Sequence, residues 1–313
     1  MSNKLLVVGT MAYDAIETPH GKVNYILGGA ATYIAFAASN FKINIGIVSV
    51  IGEDFDSDDL NLLTSEGIDI SGVEIVKGGK TFFWSGKYHE NINKRDTLET
   101  QLNVLENFKP KVPKSWTNSK ILLLGNLHPA VQLSALKQMK NKPDLIILDS
   151  MNYWMDNFRS TLDEVIKEID ILCINDEEAL QLTGENCIRN AADAIQTLGP
   201  KYVIIKKGEH GSMLFHGEEI FMTPALPLKK VKDPTGAGDS FAGGFSGYLT
   251  QCSNISFESM KLALIFASAM ASFTVEEFGT EKLQTVNKLK LKERIKGIEN
   301  LTKFNSQINL NEI

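Results

Sequence analysis

Short runs rich in β-branched residues alternate with helical patterns from the first residues onward, and this alternation restricts the fold more than any other feature of the chain. It builds a mostly parallel sheet covered by helices on both faces, the doubly wound α/β class. Strands are expected at 5–9, 43–50, 121–124, 145–149, 171–174 and 202–206. Helices are expected at 30–40, 57–66, 131–139, 162–169, 191–198, 236–249 and 257–273, with a further helix and a frayed tail after Leu283. Two stretches, 15–27 and 73–97, carry β-branched and aromatic residues with turn signals at Gly21-Lys22 and Gly78-Gly79 and lack a helical period. They interrupt the βα rhythm, so they are expected to pair outside the main sheet as a small β lid able to close over a site. A length of 313 residues gives a soft prior of about two domains. The rhythm argues instead for one domain over 1–313, a core with a lid made from two separated segments.

Composition narrows the function. A hydrophobic share of 43% rules out a disordered chain. A net charge of −6 argues against a general nucleic-acid binder, which needs a basic stripe. No apolar run approaches the ~20 residues of a membrane-spanning helix, and the run 5–9 is too short for a signal peptide, so a cytoplasmic protein with no membrane partner is expected. Cys173, Cys187 and Cys252 include no Cys-x-x-Cys pair and are expected as buried thiols. The basic run Lys229-Lys230-Val231-Lys232 is either a solvated loop edge or a source of positive potential for the motif that follows it.

That motif is Asp233-Pro234-Thr235-Gly236-Ala237-Gly238-Asp239, leading into the apolar helix. Proline restricts the approach and two glycines permit a tight turn, so that backbone N–H groups converge at the positive end of a helix, an anion site. A carboxylate in such a nest suits proton abstraction from a hydroxyl, while the amides stabilise charge on a phosphoryl group. The plain alternative is that Asp239 caps the helix and the glycines turn the chain. Related motifs fail by one residue. Phe241 stands where a dinucleotide fingerprint needs Gly, Ala242 where a nucleophile elbow needs Gly, and Glu74 where the P-loop imitation ending at Gly79-Lys80-Thr81 needs its first Gly.

With the run Asp233 to Asp239 intact, the chain resembles the ribokinase-like (PfkB) carbohydrate kinase family, over roughly residues 4–283. The resemblance implies ATP-dependent phosphorylation of a hydroxyl on a small sugar or nucleoside, with Asp239 as general base and Gly236, Ala237 and Gly238 as the anion hole. ATP and Mg²⁺ are the implied cofactors.

Other residues fit this pattern beside plainer readings. Asp14 follows the first strand, where open α/β sheets bind ligands, and Gly28-Gly29 precede a helix; turn chemistry explains them equally well, and the resemblance implies an acceptor-binding Asp and a hinge. Tyr33 replaces the Asn that the family often carries, and an aromatic ring there suits stacking on a ring-bearing acceptor. Trp84 and Tyr88, with Arg95 nearby, would shape an aromatic acceptor pocket or else pack two lids together. Asn175 and Glu178 read as an N-capping box, and the resemblance adds Mg²⁺ binding through water. Lys206, Gly208 and Gly211 end a strand in a glycine turn, which the resemblance places on the nucleotide side; Asn126, His128, Asp149 and Asn152 also follow strands. The resemblance leaves room for a monovalent cation such as K⁺ on Asp233 and Thr235. His89 lies in no metal-binding spacing. An adenosine-like nucleoside kinase and a non-catalytic sensor of the same fold are the alternatives, and an apolar lid suits a homodimer.

Overall fold

The computed structural model describes residues 3–303. Its strands are β1 (Lys4–Val8), β2 (Ala12–Thr18), β3 (Gly21–Gly28), β4 (Asn44–Gly52), β5 (Ile68–Val76), β6 (Phe82–Tyr88), β7 (Arg95–Gln101), β8 (Ile121–Leu124), β9 (Leu145–Leu148), β10 (Ile171–Asn175), β11 (Tyr202–Lys206), β12 (Ser212–His216) and β13 (Glu219–Thr223). Its helices are α1 (Ala30–Ser39), α2 (Ser57–Ser65), α3 (Pro129–Lys137), α4 (Asn152–Asn157), α5 (Arg159–Ile166), α6 (Asp176–Thr183), α7 (Ile188–Leu198), α8 (Ala237–Gln251), α9 (Phe257–Thr274) and α10 (Lys288–Thr302).

A nine-stranded sheet runs in the order β13-β12-β11-β10-β9-β8-β1-β4-β5, parallel from β5 to β11 and closed at one edge by the antiparallel hairpin β12–β13. Side chains on its strands alternate between two cores, as the strand period requires. Leu5, Val7, Ile171 and Cys173 pack beneath α1, α8 and α9, and Leu6, Val8, Leu172 and Ile174 pack with α3, α5, α6 and α7. The chain leaves β1 toward β4 on one side and toward β8 on the other. The C-terminal ends of β1, β8, β9, β10 and β11 therefore open onto one crevice at the reversal of strand order.

Helix α8 lies unusually close to its neighbours. A methyl at Gly243 would stand 2.4 Å from the Ile34 carbonyl oxygen of α1, and one at Gly244 would stand 3.0 Å from Ala267 Cα of α9. The glycines let three helix backbones approach, while Phe241, Phe245 and Leu249 fill the core at about 2–3 kcal/mol each. At the other end of α8, the buried Lys120 ammonium donates to the carbonyls of Thr250 and Cys252, a cation at the negative end of the helix.

The lid is a separate four-stranded sheet, β3-β2-β6-β7. Its extent differs from expectation at both segments. The first starts at Ala12, before residue 15. The second starts at Phe82 rather than 73 and runs to Gln101, because residues 68–76 pair parallel with β4 as the edge of the main sheet. Between them the Gly79-Lys80-Thr81 stretch is a joint: Thr81 N–H and Oγ both donate to Asp54 Oδ1, at 2.8 and 2.7 Å.

Candidate active site

Asp233 to Asp239 form the floor of the crevice. Thr235 N–H donates to Asp233 Oδ1 at 2.9 Å, and Gly236 caps α8 in the left-handed region at φ 74°. Glycine is required there twice over, because a Cβ would also enter the Tyr33 ring at 2.4 Å. Ala237 N–H donates to the Pro234 carbonyl at 3.1 Å and closes the turn. The amides of Gly236 and Gly238 have no acceptor among the described residues, whereas the amide of Ala237 is engaged. Asp239 stands in the first turn of α8. Burial and the nearby Asp149 carboxylate raise its pKa to about 7, against the pull of Lys206 and Arg95.

On the lid side, Asp14 of β2 is buried with its carboxylate laid over Gly28, where a Cβ would stand 2.0 Å from Oδ2. Burial and the carboxylates of Asp233 and Asp239 push it up to about 8, and Arg95 opposes them. Gly29, at φ 94°, caps α1 within 2.5 Å of the Thr10 carbonyl for any added Cβ. Trp84 pairs in register with Asp14. Its indole packs against Gly86, where a Cβ would stand 2.1 Å from Cη2, donates to Thr97 Oγ1 at 3.3 Å, and has the Arg95 guanidinium 5.4 Å from its ring centroid. Tyr88, buried, shares a 3.0 Å hydrogen bond with the Thr235 hydroxyl and ties the lid to the anion turn.

On the opposite wall, Lys206 at the end of β11 pairs with Asp149 Oδ1 at 3.0 Å, and its Nζ would be 3.2 Å from a Cβ on Gly238. Burial opposes its charge, but the Asp149 and Glu178 carboxylates outweigh it and hold the ammonium protonated. Asn175 and Glu178 form the expected capping box, each side chain accepting the other's backbone N–H at 2.8 Å. Burial raises Glu178 to about 7, partly offset by Lys206. Gly208, at φ 52°, lies beside Asn93 of the lid hairpin, with 3.3 Å from a notional Cβ to Asn93 Oδ1. Gly211 serves the β11–β12 hairpin, where a Cβ would meet the Thr223 carbonyl at 2.0 Å.

A carboxylate in a nest of free amides, a second carboxylate across from it and a lysine along the turn make a phosphoryl-transfer constellation. The sequence profile of the pfkB family carbohydrate kinases matches residues 2–286. The chain belongs to the PfkB family. This PfkB kinase is a phosphotransferase with a hydroxyl acceptor, of the sugar and nucleoside kinase kind. It is 32% identical over 265 residues to a cytidine kinase of Thermococcus kodakarensis, covering 81% of this chain and 93% of that one. Its fold is that of the nucleoside kinase of Methanocaldococcus jannaschii, with a TM-score of 0.76, 22% identity and 94% and 98% of the two chains covered. A protein described as a ribokinase II of Escherichia coli, solved with ATP and Mg²⁺, superposes at a TM-score of 0.76 with 20% identity, over 95% and 99%. No helix among the described residues is long and apolar enough to cross a membrane.

Several expectations for this PfkB kinase need correction. Tyr33 is 1% exposed, its ring filling the space that Gly236 leaves, so it offers no face for an acceptor ring to stack on. Cys187 is exposed at the start of α7 and Cys252 is half-buried; only Cys173 is a buried thiol. Lys232 of the basic run is engaged by Glu277 and lies over the Phe278 ring. Trp154 donates to Asn126 Oδ1 at 2.7 Å, and His128 accepts from Ala130 N–H at the start of α3, so both serve local structure. Asp149 had no separable role in the sequence. Its signal was its place one residue after a buried strand, and its partner is Lys206.

Proposed function

We propose that this kinase moves the γ-phosphoryl group of ATP to a ribose hydroxyl of a nucleoside, with Asp239 as general base. The observation that carries the nucleoside reading is Trp84, packed against Gly86 and in register beside Asp14. An aromatic platform next to a hydroxyl-binding carboxylate suits a molecule that is half ring and half sugar. The cytidine kinase relative supports the same class. In this reading Asp14 receives the sugar hydroxyls, and Asp239 takes the proton as the acceptor oxygen attacks. The free amides of Gly236 and Gly238 stabilise the phosphoryl oxygens, and Lys206 follows the polyphosphate.

Two groups in the cleft fit cations. Glu178, a buried carboxylate with no salt bridge among the described residues, suits a hydrated Mg²⁺ together with Asn175. Bound there, Mg²⁺ supplies charge neutralisation between phosphates. Asp233 Oδ2 is buried without a hydrogen-bond partner and, with Thr235, suits a monovalent cation such as K⁺. The reading also includes a cytoplasmic enzyme whose copies pair through the outer face of the lid, where Tyr25 is 57% and Leu98 59% exposed.

The test is direct. Asp239→Asn keeps the fold and nucleotide binding and lowers kcat with ATP and cytidine by about 10²–10⁴-fold; a near-normal kcat removes the base assignment. In a thermal-shift panel with a non-hydrolysable ATP analogue, a nucleoside at a hundred times its Kd adds ~2.7 kcal/mol. Stabilisation by free sugars alone removes the nucleoside reading.

A further inference from the structure

We propose that Phe278 is a positioning residue of this kinase, a core side chain that seats the lid and ties it to the turn carrying Asp239; this rests on the acceptor reading above. The lid sheet turns one face to the cleft, with Asp14 and Ile16 of β2 beside Trp84, Gly86 and Tyr88 of β6. The apolar part of that face forms a separate cluster: Ile16, Tyr88 and Phe278 are buried in it, and Val23, Ile26, Trp84 and Ile92 pack around them. All of these but Phe278 belong to the lid. Phe278 comes from the segment between α9 and α10, and it is a member of neither core that flanks the main sheet. A four-stranded sheet with no helix on this face buries too little apolar surface to fix its own position, so Phe278 is its support there. Two glycines let the surfaces meet. A Cβ at Gly21 of β3 would stand 3.2 Å from Phe278 Cε2, and one at Gly279 would stand 2.7 Å from Ile26 Cδ1.

The same segment is bonded to the approach to the anion turn. Lys232 and Asp233 both donate their backbone N–H to the Val275 carbonyl, at 2.7 and 3.3 Å. The Lys232 ammonium pairs with Glu277 and lies 4.9 Å from the centre of the Phe278 ring, a cation–π contact. From the lid side Tyr88, a neighbour of Phe278 in the cluster, shares its hydrogen bond with Thr235. Residues 275–279 thus hold the lid by a side chain and the start of the turn by a carbonyl. The seating that brings Asp14 and Trp84 to the acceptor and the ordering that sets Asp239 depend on one short piece of chain.

Without the ring the lid loses its fixed distance from the turn. The acceptor is then held less well, and water reaches the transferring group. A water oxygen bonds to phosphorus, the bond from phosphorus to the bridging oxygen of ADP breaks, and the water proton passes to Asp239. ATP then yields ADP and inorganic phosphate with no phosphorylated acceptor.

The experiment uses the full chain with ATP, Mg²⁺ and cytidine. Phe278→Ala should raise the cytidine KM about tenfold and leave the Kd of a non-hydrolysable ATP analogue within about threefold of wild type. It should release ADP in excess over phosphorylated cytidine, where wild type makes the two in equal amounts. Phe278→Leu, which keeps an apolar side chain in the cluster, should recover most of the affinity and the coupling. Hydrogen exchange without substrates should be faster in Phe278→Ala at 12–28, 82–101 and 232–238, and unchanged in β8 to β11. An unchanged cytidine KM with equal products, or faster exchange spread over the main sheet, would make Phe278 a packing residue only and overturn the proposal. Should Phe278→Ala fail to fold, Phe278→Leu carries the test with a KM effect of about threefold, and the same outcomes decide it. If wild type phosphorylates no nucleoside, the reading of the preceding section fails, and exchange alone decides Phe278. Protection lost in both the lid and the turn upholds the link, and loss in one or neither overturns it.

Discussion

With Asp239 as the proposed base, the pair Lys206–Asp149 sets its ionisation, and replacing its two members should move the pH dependence in opposite directions. Asp239 is raised to about 7 by burial and by Asp149, and it is held down by Lys206 and Arg95. The base must be ionised to work, so activity is present above this pKa and lost below it. In wild type, kcat/KM should fall about tenfold per pH unit below an acid limb near 7. Lys206→Met keeps the stem and removes the charge. Even at an effective dielectric of about 20, a buried neighbouring cation contributes on the order of 1–2 kcal/mol, about one pKa unit, so the limb should rise toward 8. Asp149→Asn removes a like charge instead, and the limb should descend. Lys206→Met also strands a buried carboxylate, at about 3–5 kcal/mol of stability. The rates should therefore be measured well below its melting temperature, with Lys206→Met/Asp149→Asn as the compensated control. The assay is coupled ADP release from pH 5.5 to 9 with ATP, Mg²⁺ and cytidine. A wild-type limb near 4, or limbs that shift the same way in both single variants, would refute the electrostatic argument.

The cleft should also govern stability. Asp14, Asp239, Glu178 and Asp233 are raised to about 8, 7, 7 and 6 by burial, so between pH ~4 and 8 the folded protein binds more protons than the unfolded chain. Stability contributed by these groups is present at low pH and lost as pH rises through that window. Asp14→Asn should therefore raise the ligand-free melting temperature at pH 8.5 and leave it nearly unchanged at pH 5, whereas equal shifts at both pH values would contradict the linkage. Gly243→Ala puts a methyl 2.4 Å from the Ile34 carbonyl and should cost about 1–3 kcal/mol in urea unfolding, because α1 and α8 must separate. A cost below ~0.5 kcal/mol would show that the helices have slack.

Much of this was legible in the sequence because local chemistry and tertiary role coincide. The run 233–239 carries the proline and glycines of a tight turn before α8, and the buried strand 121–124 is a continuous apolar run with its observed bounds, as is 203–205 within the strand 202–206. Where the two diverge, sequence reading fails. Residues 73–76 look like lid because a sheet edge, half solvated, has the same mixed pattern as a small separate sheet. The hairpin β12–β13, two strands of five residues with mixed exposure, carries no stronger signal in the sequence. Tyr33 is an aromatic residue at a ligand-binding offset, and only the absence of a Cβ at Gly236, far away in the chain, explains why it is buried. The pairing of Lys206 with Asp149 joins residues 57 positions apart and is set by the adjacency of β9, β10 and β11.

The placement of the two lid segments has an evolutionary and engineering consequence. Both are insertions, β2–β3 between β1 and α1 and β6–β7 between β5 and β8, and neither interrupts the strands that lead to Asp149, Asn175 and Lys206 or the helix that Gly236 caps. In the proposed function the acceptor is met by the insertions through Asp14 and Trp84, and the phosphate donor by the uninterrupted core. New substrates can therefore be acquired by rewriting or exchanging two surface excursions while the core is inherited unchanged. A lid transplanted from a relative would be a compact library for altering what this kinase phosphorylates.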